Sequence, residues 1–176
     1  HPTTDLVKDR EPRAVIVTPS DGIYDGHAAR IQEAIERRSG AKVPIARDDS
    51  PEAAVPITGN RIALGNRSTN RMIEELYNRY FTLLDLKYPG PEGYEVRSLH
   101  NPFGGGYNVI LVGGSDAVGV SRATDAFVKE LDAIEADRGS LSVGWLMEIE
   151  LGAGMSPPKE LKEFQIWEAS VGSRST

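Results

Sequence analysis

The chain has 176 residues, of which 39% are hydrophobic, and it carries a formal net charge of −6 and no cysteine. This length fits one domain with or without a tail, and the acidic balance argues against a nucleic-acid-binding protein. The composition excludes disulfides and thiolate metal sites, and no run approaches the roughly 18 apolar residues that span a membrane.

The beginning of the chain predicts a strand followed by a helix. Residues 1–13 are polar and start with His-Pro rather than Met, so we expect a flexible N-terminus on a processed or excised fragment. The apolar run 14–18 is typical of a buried strand. Gly40 supplies a helix stop for four apolar residues at helical spacing, Ala28, Ile31, Ala34 and Ile35.

The middle of the chain predicts two strands and a second helix. Short apolar runs over 43–46 and 61–64 indicate the strands, and Asn70 is placed to cap the helix that follows. We expect Asp48 and Asp49, between these strands, to be a solvated loop pair. The helix is expected to carry Ile73, Leu76, Tyr77, Tyr80 and Leu84. Helical spacing favours core packing over sugar stacking for the aromatic residues Tyr77, Tyr80, Phe81 and Tyr88.

The segment 93–131 predicts a β-hairpin followed by a third helix. Two strand patterns, over 94–99 and 108–112, flank the turn sequence Asn-Pro-Phe-Gly-Gly-Gly. Ser115 or Asp116 can accept a hydrogen bond from the first free N–H groups of the helix. The apolar face of this helix is expected to contain Val118, Ala123, Ala126, Phe127, Leu131 and Ile134.

The last segment predicts one more strand and then a tail. Apolar residues alternate over 141–151, which indicates a single half-buried strand, and residues 152–176 have the composition of a linker or tail. Strands and helices therefore alternate along a domain spanning 14–151. The expected fold is an α/β (α+β) sandwich, a mixed sheet with a C-terminal hairpin and about three helices packed on it.

No residue pattern in the chain predicts a catalytic site. The glycine runs lack the lysine of a P-loop and the spacing of a dinucleotide fingerprint, so turns are the favoured interpretation. The three histidines lack metal-ligand spacing, and the paired carboxylates have the pattern of solvated faces. We therefore expect no catalytic residues, no metal and no cofactor.

One candidate ligand site follows from the predicted topology. If the strands at 14–18, 61–64 and 108–112 are parallel, their carboxyl ends meet at one edge of the sheet, where ligands of open α/β sheets bind. The alternative is that the polar residues there only cap helices and form turns. The residues concerned are Ser20, Asp21, Asn66, Arg67, Asn70, Ser115 and Asp116.

Four short motifs carry a resemblance to a known domain family. In order they are IALGN, GYEVR, NVILVGGSD and ATDAFVKEL, the second and third joined by a turn. Over residues 14–131 the chain resembles the non-catalytic N-terminal α/β domain that precedes the barrel of family 20 β-hexosaminidases. Similar domains precede the catalytic parts of family 84 hexosaminidases and family 67 α-glucuronidases, and related modules occur in heparinase-like lyases.

The resemblance implies a non-catalytic accessory domain of a bacterial polysaccharide-degrading enzyme, secreted or periplasmic, with the hydrolase and lyase classes both open. The expected partner is the catalytic domain of the same polypeptide, with carbohydrate as a further one and neither nucleic acid nor membrane. Trp145, Leu151 and Trp167 are the candidate interface residues. The alternative is an independent binding module for a small ligand or carbohydrate that uses the strand-to-helix loops.

Overall fold

A computed structural model describes residues 3–135, 137 and 139–155 of the chain. Within these residues it contains three α-helices, α1 (Asp25–Ser39), α2 (Arg71–Asn78) and α3 (Ala117–Ala133). The strands, in chain order, are β1 (Thr4–Lys8), β2 (Glu11–Pro12), β3 (Ala14–Thr18), β4 (Ile45–Arg47), β5 (Asn60–Gly65), β6 (Tyr94–Leu99), β7 (Val109–Gly114), β8 (Leu141–Val143) and β9 (Met147–Glu150).

The main sheet is mixed and has six strands in the order β4-β3-β5-β7-β6-β9. Strands β4, β3, β5 and β7 are parallel, whereas β6 runs antiparallel to both β7 and β9. The predicted α/β sandwich and the hairpin formed by β6 and β7 are therefore confirmed. The four parallel strands place the ends of β3, β5 and β7 at one edge.

The helices cover both faces of the main sheet. On one face, α1 and α3 pack together over side chains such as Ile16 and Ile62, with Phe127 of α3 fully buried among them. On the other face, α2 contributes Ile73 and Leu76 to a second core cluster. After β3 the chain passes to the sheet face covered by α1, and after β5 it passes to the face covered by α2. The topological switch point therefore lies between the carboxyl ends of these two strands.

A second, three-stranded sheet corrects the expectation of a flexible N-terminus over 1–13. Strand β1 pairs antiparallel with β2 and with β8, and its Leu6 and Val7 are fully buried. Leu6 and Val7 stand between polar residues, so the sequence around them lacks the longer apolar pattern that predicts a strand. Their main partner strand, β8, is more than a hundred residues away, so no local pattern announces the pairing.

The strand predicted over 141–151 is two strands in two different sheets. Strand β8 joins the small sheet, and β9 forms an edge of the main sheet after a break at residues 144–146. All four residues of β9 are exposed, so the alternation of apolar and polar residues does not correspond to one buried and one exposed face of this strand. Most of the predicted tail, residues 156–176, lies outside the described residues.

Helix ends follow the predicted capping signals, with two departures. Gly40 closes α1 in the left-handed conformation, and Asn70 and Asp116 cap α2 and α3 with their side chains. Helix α2 ends at Asn78, however, so Tyr80 lies beyond it at φ 64° and is 91% exposed instead of packing in the core. Val118, predicted on the buried face of α3, is 49% exposed, because the buried face of this helix begins with Gly119 and Val120 instead.

Candidate functional site

A groove of about 360 Å³ lies at the topological switch point. Four of the seven residues predicted at this edge line it, Ser20 and Asp21 after β3 and Arg67 and Asn70 after β5. Ser115 and Asp116, which follow β7, are not part of its lining. The structure therefore brings four predicted residues from the ends of two strands together in this switch-point groove and leaves Asn66, Ser115 and Asp116 outside its lining.

Asp48 occupies the position in this groove that a bound anion would need. One of its carboxylate oxygens accepts the Ser20 N–H at 2.8 Å, and the other accepts the Arg71 N–H, at the start of α2, at 2.8 Å. Helix N-termini attract anions, and here the protein supplies its own carboxylate. Asp48 is only 9% exposed, which corrects the expectation of a solvated pair with Asp49.

Two buried asparagines close the floor between the strands. Asn70 donates from its side-chain amide to the carbonyls of Val17 at 3.1 Å and Leu64 at 2.9 Å, and it accepts the Met72 N–H at 3.0 Å. Asn66 donates to the carbonyl of Gly114 at 3.0 Å. These amides join the ends of β3, β5 and β7, so their hydrogen-bonding groups are used within the chain.

Ser115 and Asp116 hold the loop that precedes β6. The Ser115 hydroxyl accepts the Gly90 N–H at 2.9 Å. The two Asp116 oxygens accept N–H groups from Gly119 at 2.8 Å and from Glu92 at 2.9 Å. Each therefore has a structural role as a cap or loop tie, and ligand binding by either stays a prediction.

The remaining two predicted residues, Asp21 and Arg67, are placed by local contacts. Asp21 accepts the Ile23 N–H at 3.0 Å, an interaction within its own turn. The Arg67 guanidinium lies over the Tyr77 ring, 4.5 Å from its centroid. The lining of the groove includes three carboxylates, Asp21, Asp48 and Glu74, beside Arg67 and Arg71, so its charge does not favour an anion.

A larger groove at the opposite edge of the main sheet was missed by the sequence analysis. It has a volume of about 700 Å³ and lies at the amino-terminal ends of the parallel strands, where Ala14, Asn60 and Asn108 line it. We call it the amino-edge groove. Its walls combine β1 and the starts of β3 and β5, so only the pairing of β1 with β8, which the local sequence does not reveal, could have predicted it.

An apolar stripe runs along β9 at the edge of the main sheet. Trp145, Met147 and Ile149 are 44%, 61% and 38% exposed, and we call these three residues the edge stripe. Glu148 and Glu150, which alternate with them, bind Tyr94 and Arg122 on the α3 side. The predicted interface residue Trp145 thus belongs to the stripe, Leu151 is half-buried just after it, and Trp167 lies outside the described residues.

A buried carboxylate lies at the inner border of the edge stripe. Glu95 of β6 pairs with Ile149 across the strand register and is 1% exposed. Its oxygens have two long contacts, to Thr82 Oγ1 and to Arg97 Nη1, both at 3.4 Å. Burial raises the pKa of Glu95 despite the opposing effect of Arg97.

Two features are absent from the described residues, a cluster of metal ligands and a membrane-spanning helix. Among residues 3–135, 137 and 139–155, no group of three or more His, Asp or Glu side chains is arranged to hold a metal ion. Nor does this part of the chain contain a helix of the length and hydropathy required to cross a bilayer.

Comparison with known proteins adds no assignment. No family model matches the chain, and a search of curated proteins finds no match either.

Proposed function

We propose that the chain is a non-catalytic accessory domain of a larger carbohydrate-active enzyme, a glycoside hydrolase or a polysaccharide lyase. In this proposal it packs against the catalytic domain of the same polypeptide and carries no catalytic residue itself. The observation that supports docking is the edge stripe, where Met147 is 61% exposed on an edge strand. The carbohydrate context, and with it a secreted or periplasmic bacterial location, rests on the resemblance of residues 14–131.

The edge stripe has the two properties of a docking surface for another domain. Its side chains are large, apolar and exposed at alternate positions, two of them on β9 and Trp145 just before it, and such a patch commonly marks an interaction site. Strand β9 also has no strand partner on its outer side among the described residues, and proteins normally protect such an edge. A neighbouring domain would cover both the side chains and the free backbone groups.

The position of β9 in the chain also suits this role. Among the described residues it is the last strand, and it ends at Glu150. A domain that follows in the same polypeptide would be joined to this strand through the residues after Glu150. The loops at the carboxyl edge fit a supporting domain as well, since most of their polar side chains bind the chain's own backbone.

The test begins with the coding sequence after Thr176. We expect it to encode a catalytic domain, which is then produced separately and mixed with this chain. Titration calorimetry should detect binding, and Met147→Lys/Ile149→Lys should weaken it by about tenfold or more, because both substitutions place charge in an apolar interface. Val118→Lys is the matched control, since Val118 is also exposed but lies on α3.

Two results would reject the proposal. One is a coding sequence in which no catalytic domain follows. The other is equal binding by the stripe variant and the Val118→Lys control, which would mean that the stripe is not the docking surface.

A further inference from the structure

The amino-edge groove has a small excess of positive charge in an acidic protein. Its lining contains three cationic side chains, Lys8, Arg13 and Arg61, and two acidic ones, Asp5 and Glu52. The chain as a whole carries a net charge of −6. A local excess of cations inside a concave surface draws anions from solution, because low-dielectric walls focus the field.

Arg61 forms the floor of the groove without a carboxylate partner. It is only 3% exposed, and its guanidinium donates to main-chain carbonyls, from Nη2 to Glu52 at 2.7 Å and from Nη1 to Gly59 at 2.9 Å. In the part of the chain that the structure describes, Arg61 takes part in no ion pair. Nε also donates to the Glu52 carbonyl and Nη1 to the Asn60 carbonyl, both at 3.1 Å, so Arg61 contributes its buried positive charge to the groove while carbonyls hold most of its donors.

The two acidic residues of the groove are engaged elsewhere. Asp5 accepts a hydrogen bond from the Ser142 hydroxyl at 2.6 Å, across the pairing of β1 with β8. A hydrogen bond from its own backbone N–H is the largest cause of a lowered pKa at Glu52. Neither forms an ion pair with Lys8 or Arg13 among the described residues, so these exposed cations are accessible to a ligand.

The walls of the groove are held by a set of asparagine contacts. Asn60 donates to the Asp5 carbonyl at 2.8 Å and accepts the Asn108 N–H at 2.8 Å. Asn108 in turn donates to Thr4 Oγ1 at 3.1 Å. These bonds fix β1 to the main sheet, and a preformed groove reduces the ordering cost of binding. Tyr107 lines the same groove with 38% of its surface exposed.

We propose that the amino-edge groove binds a small molecule through a carboxylate or phosphate group, with Lys8 and Arg13 at the rim and Arg61 at the floor. The Tyr107 ring offers a surface for the less polar side of such a ligand. The volume of about 700 Å³ lies in the usual range for small-molecule sites. This site does not depend on the accessory role, because it lies on β1 and the strand starts rather than on the edge stripe.

The test is an NMR titration of the whole chain at constant ionic strength, with inorganic phosphate and gluconate as probes and sorbitol as the neutral control. We expect saturable shifts of the backbone amides of Gly59, Asn60, Gly106 and Asn108. Lys8→Gln/Arg13→Gln should weaken this binding by about tenfold or more, because charge-assisted hydrogen bonds are lost. Lys87→Gln/Lys129→Gln removes the same charge from exposed sites outside both grooves and should leave the binding unchanged.

The two probes, inorganic phosphate and gluconate, distinguish a phosphate ligand from a sugar acid. Saturation by phosphate alone supports a phosphate ligand, saturation by gluconate alone supports a sugar acid, and saturation by both supports a general oxyanion site. The absence of saturable shifts with either probe would overturn the proposal. So would equal weakening by the two double variants, since that would show binding to overall charge rather than to this groove.

Discussion

Single polar side chains hold the loops at the carboxyl edge of the main sheet. Asp48 joins the turn after β3 to the start of α2, and Asn70 joins β3 and β5. Each is at least nine-tenths buried. Removing one of them leaves buried N–H or C=O groups without partners, which costs more than the hydrogen bond itself contributes.

Asp48→Ala should lower the free energy of unfolding by about 2–3 kcal/mol, because two backbone N–H groups lose a charged acceptor. Urea unfolding followed by circular dichroism measures the change. The neighbouring Asp49→Ala is the matched control and should stay within about 0.5 kcal/mol of the wild type, since Asp49 is exposed. Equal losses in the two variants would contradict the role given to Asp48.

Glu95 should make stability fall as the pH rises. Burial raises the pKa of its carboxyl in the folded state, so the folded chain binds this proton more tightly than the unfolded chain does. The stabilising effect is complete below the ordinary pKa of 4.5 and is lost as the pH passes the raised folded-state pKa.

Urea unfolding over a pH series tests this for Glu95→Gln, which keeps the shape but cannot ionise. Relative to the wild type, Glu95→Gln should gain stability as the pH rises above 4.5. Glu33→Gln, at an exposed position of α1, controls for the loss of one negative charge. A constant difference between Glu95→Gln and the wild type across the series would contradict the prediction.

The helix caps could be predicted from the sequence, whereas the hydrogen bonds between residues that are distant in sequence could not. Asn70 and Asp116 precede apolar helical patterns, and N-cap preference acts within three residues. Asp48 binds Ser20 and Arg71, which lie 28 and 23 positions away. No local signal distinguishes it from Asp49 beside it, because only the assembled sheet brings those N–H groups together.

Helix α3 lies unusually close to the chain that enters β6. Gly119 in its first turn faces the carbonyl of Gly93 and the backbone of Gly114, leaving no room for a side chain. Gly113 and Gly114 lie within β7 rather than in the turn predicted for this run, and Gly114 has no space for a side chain because the backbone of Gly119 packs against it. A helix seated so close to the backbone also fixes the position of the Asp116 cap.

Gly119→Ala should destabilise the fold by about 1–3 kcal/mol, because the added methyl group would overlap the Gly93 carbonyl oxygen. Gly26→Ala, also in the first turn of a helix, should stabilise it by about 0.5–1 kcal/mol, since nothing lies within 4 Å of the new methyl group. Thermal and urea unfolding of both variants measure the contrast. Effects of the same sign would contradict the packing described for α3.

Elements with a strong local period were predictable, and those defined by distant pairing were not. Helices α1 and α3 and strands β3, β5 and β7 follow from apolar spacing and from turn residues such as Gly40. Strand β1 has only two buried apolar side chains, Leu6 and Val7, and depends on β8 for its partner. The apolar residues of β8 and of β9 both stand at odd-numbered positions, so the sequence over 141–151 has the pattern of one continuous strand.

At the scale of the whole molecule, the described residues form three distinct surfaces with a candidate role. The switch-point groove and the amino-edge groove lie at opposite ends of the parallel strands, and the edge stripe lies at the edge strand β9, on the sheet face opposite α3. Topology predicts the first surface, because ligands favour the carboxyl ends of parallel strands. The other two depend on β1, β8 and β9, whose placement in the sheets is a property of the folded chain.

If a following domain covers the edge stripe, as proposed, amide hydrogen exchange over this stripe should slow when that domain is present. Exchange is compared between this chain and the longer polypeptide that continues past Thr176, with the amides of α1 as the internal reference. We expect slower exchange over residues 145–150 in the longer polypeptide, because a docked domain would cover Met147, Ile149 and the free edge of β9. Equal exchange rates over these residues in the two polypeptides would contradict it.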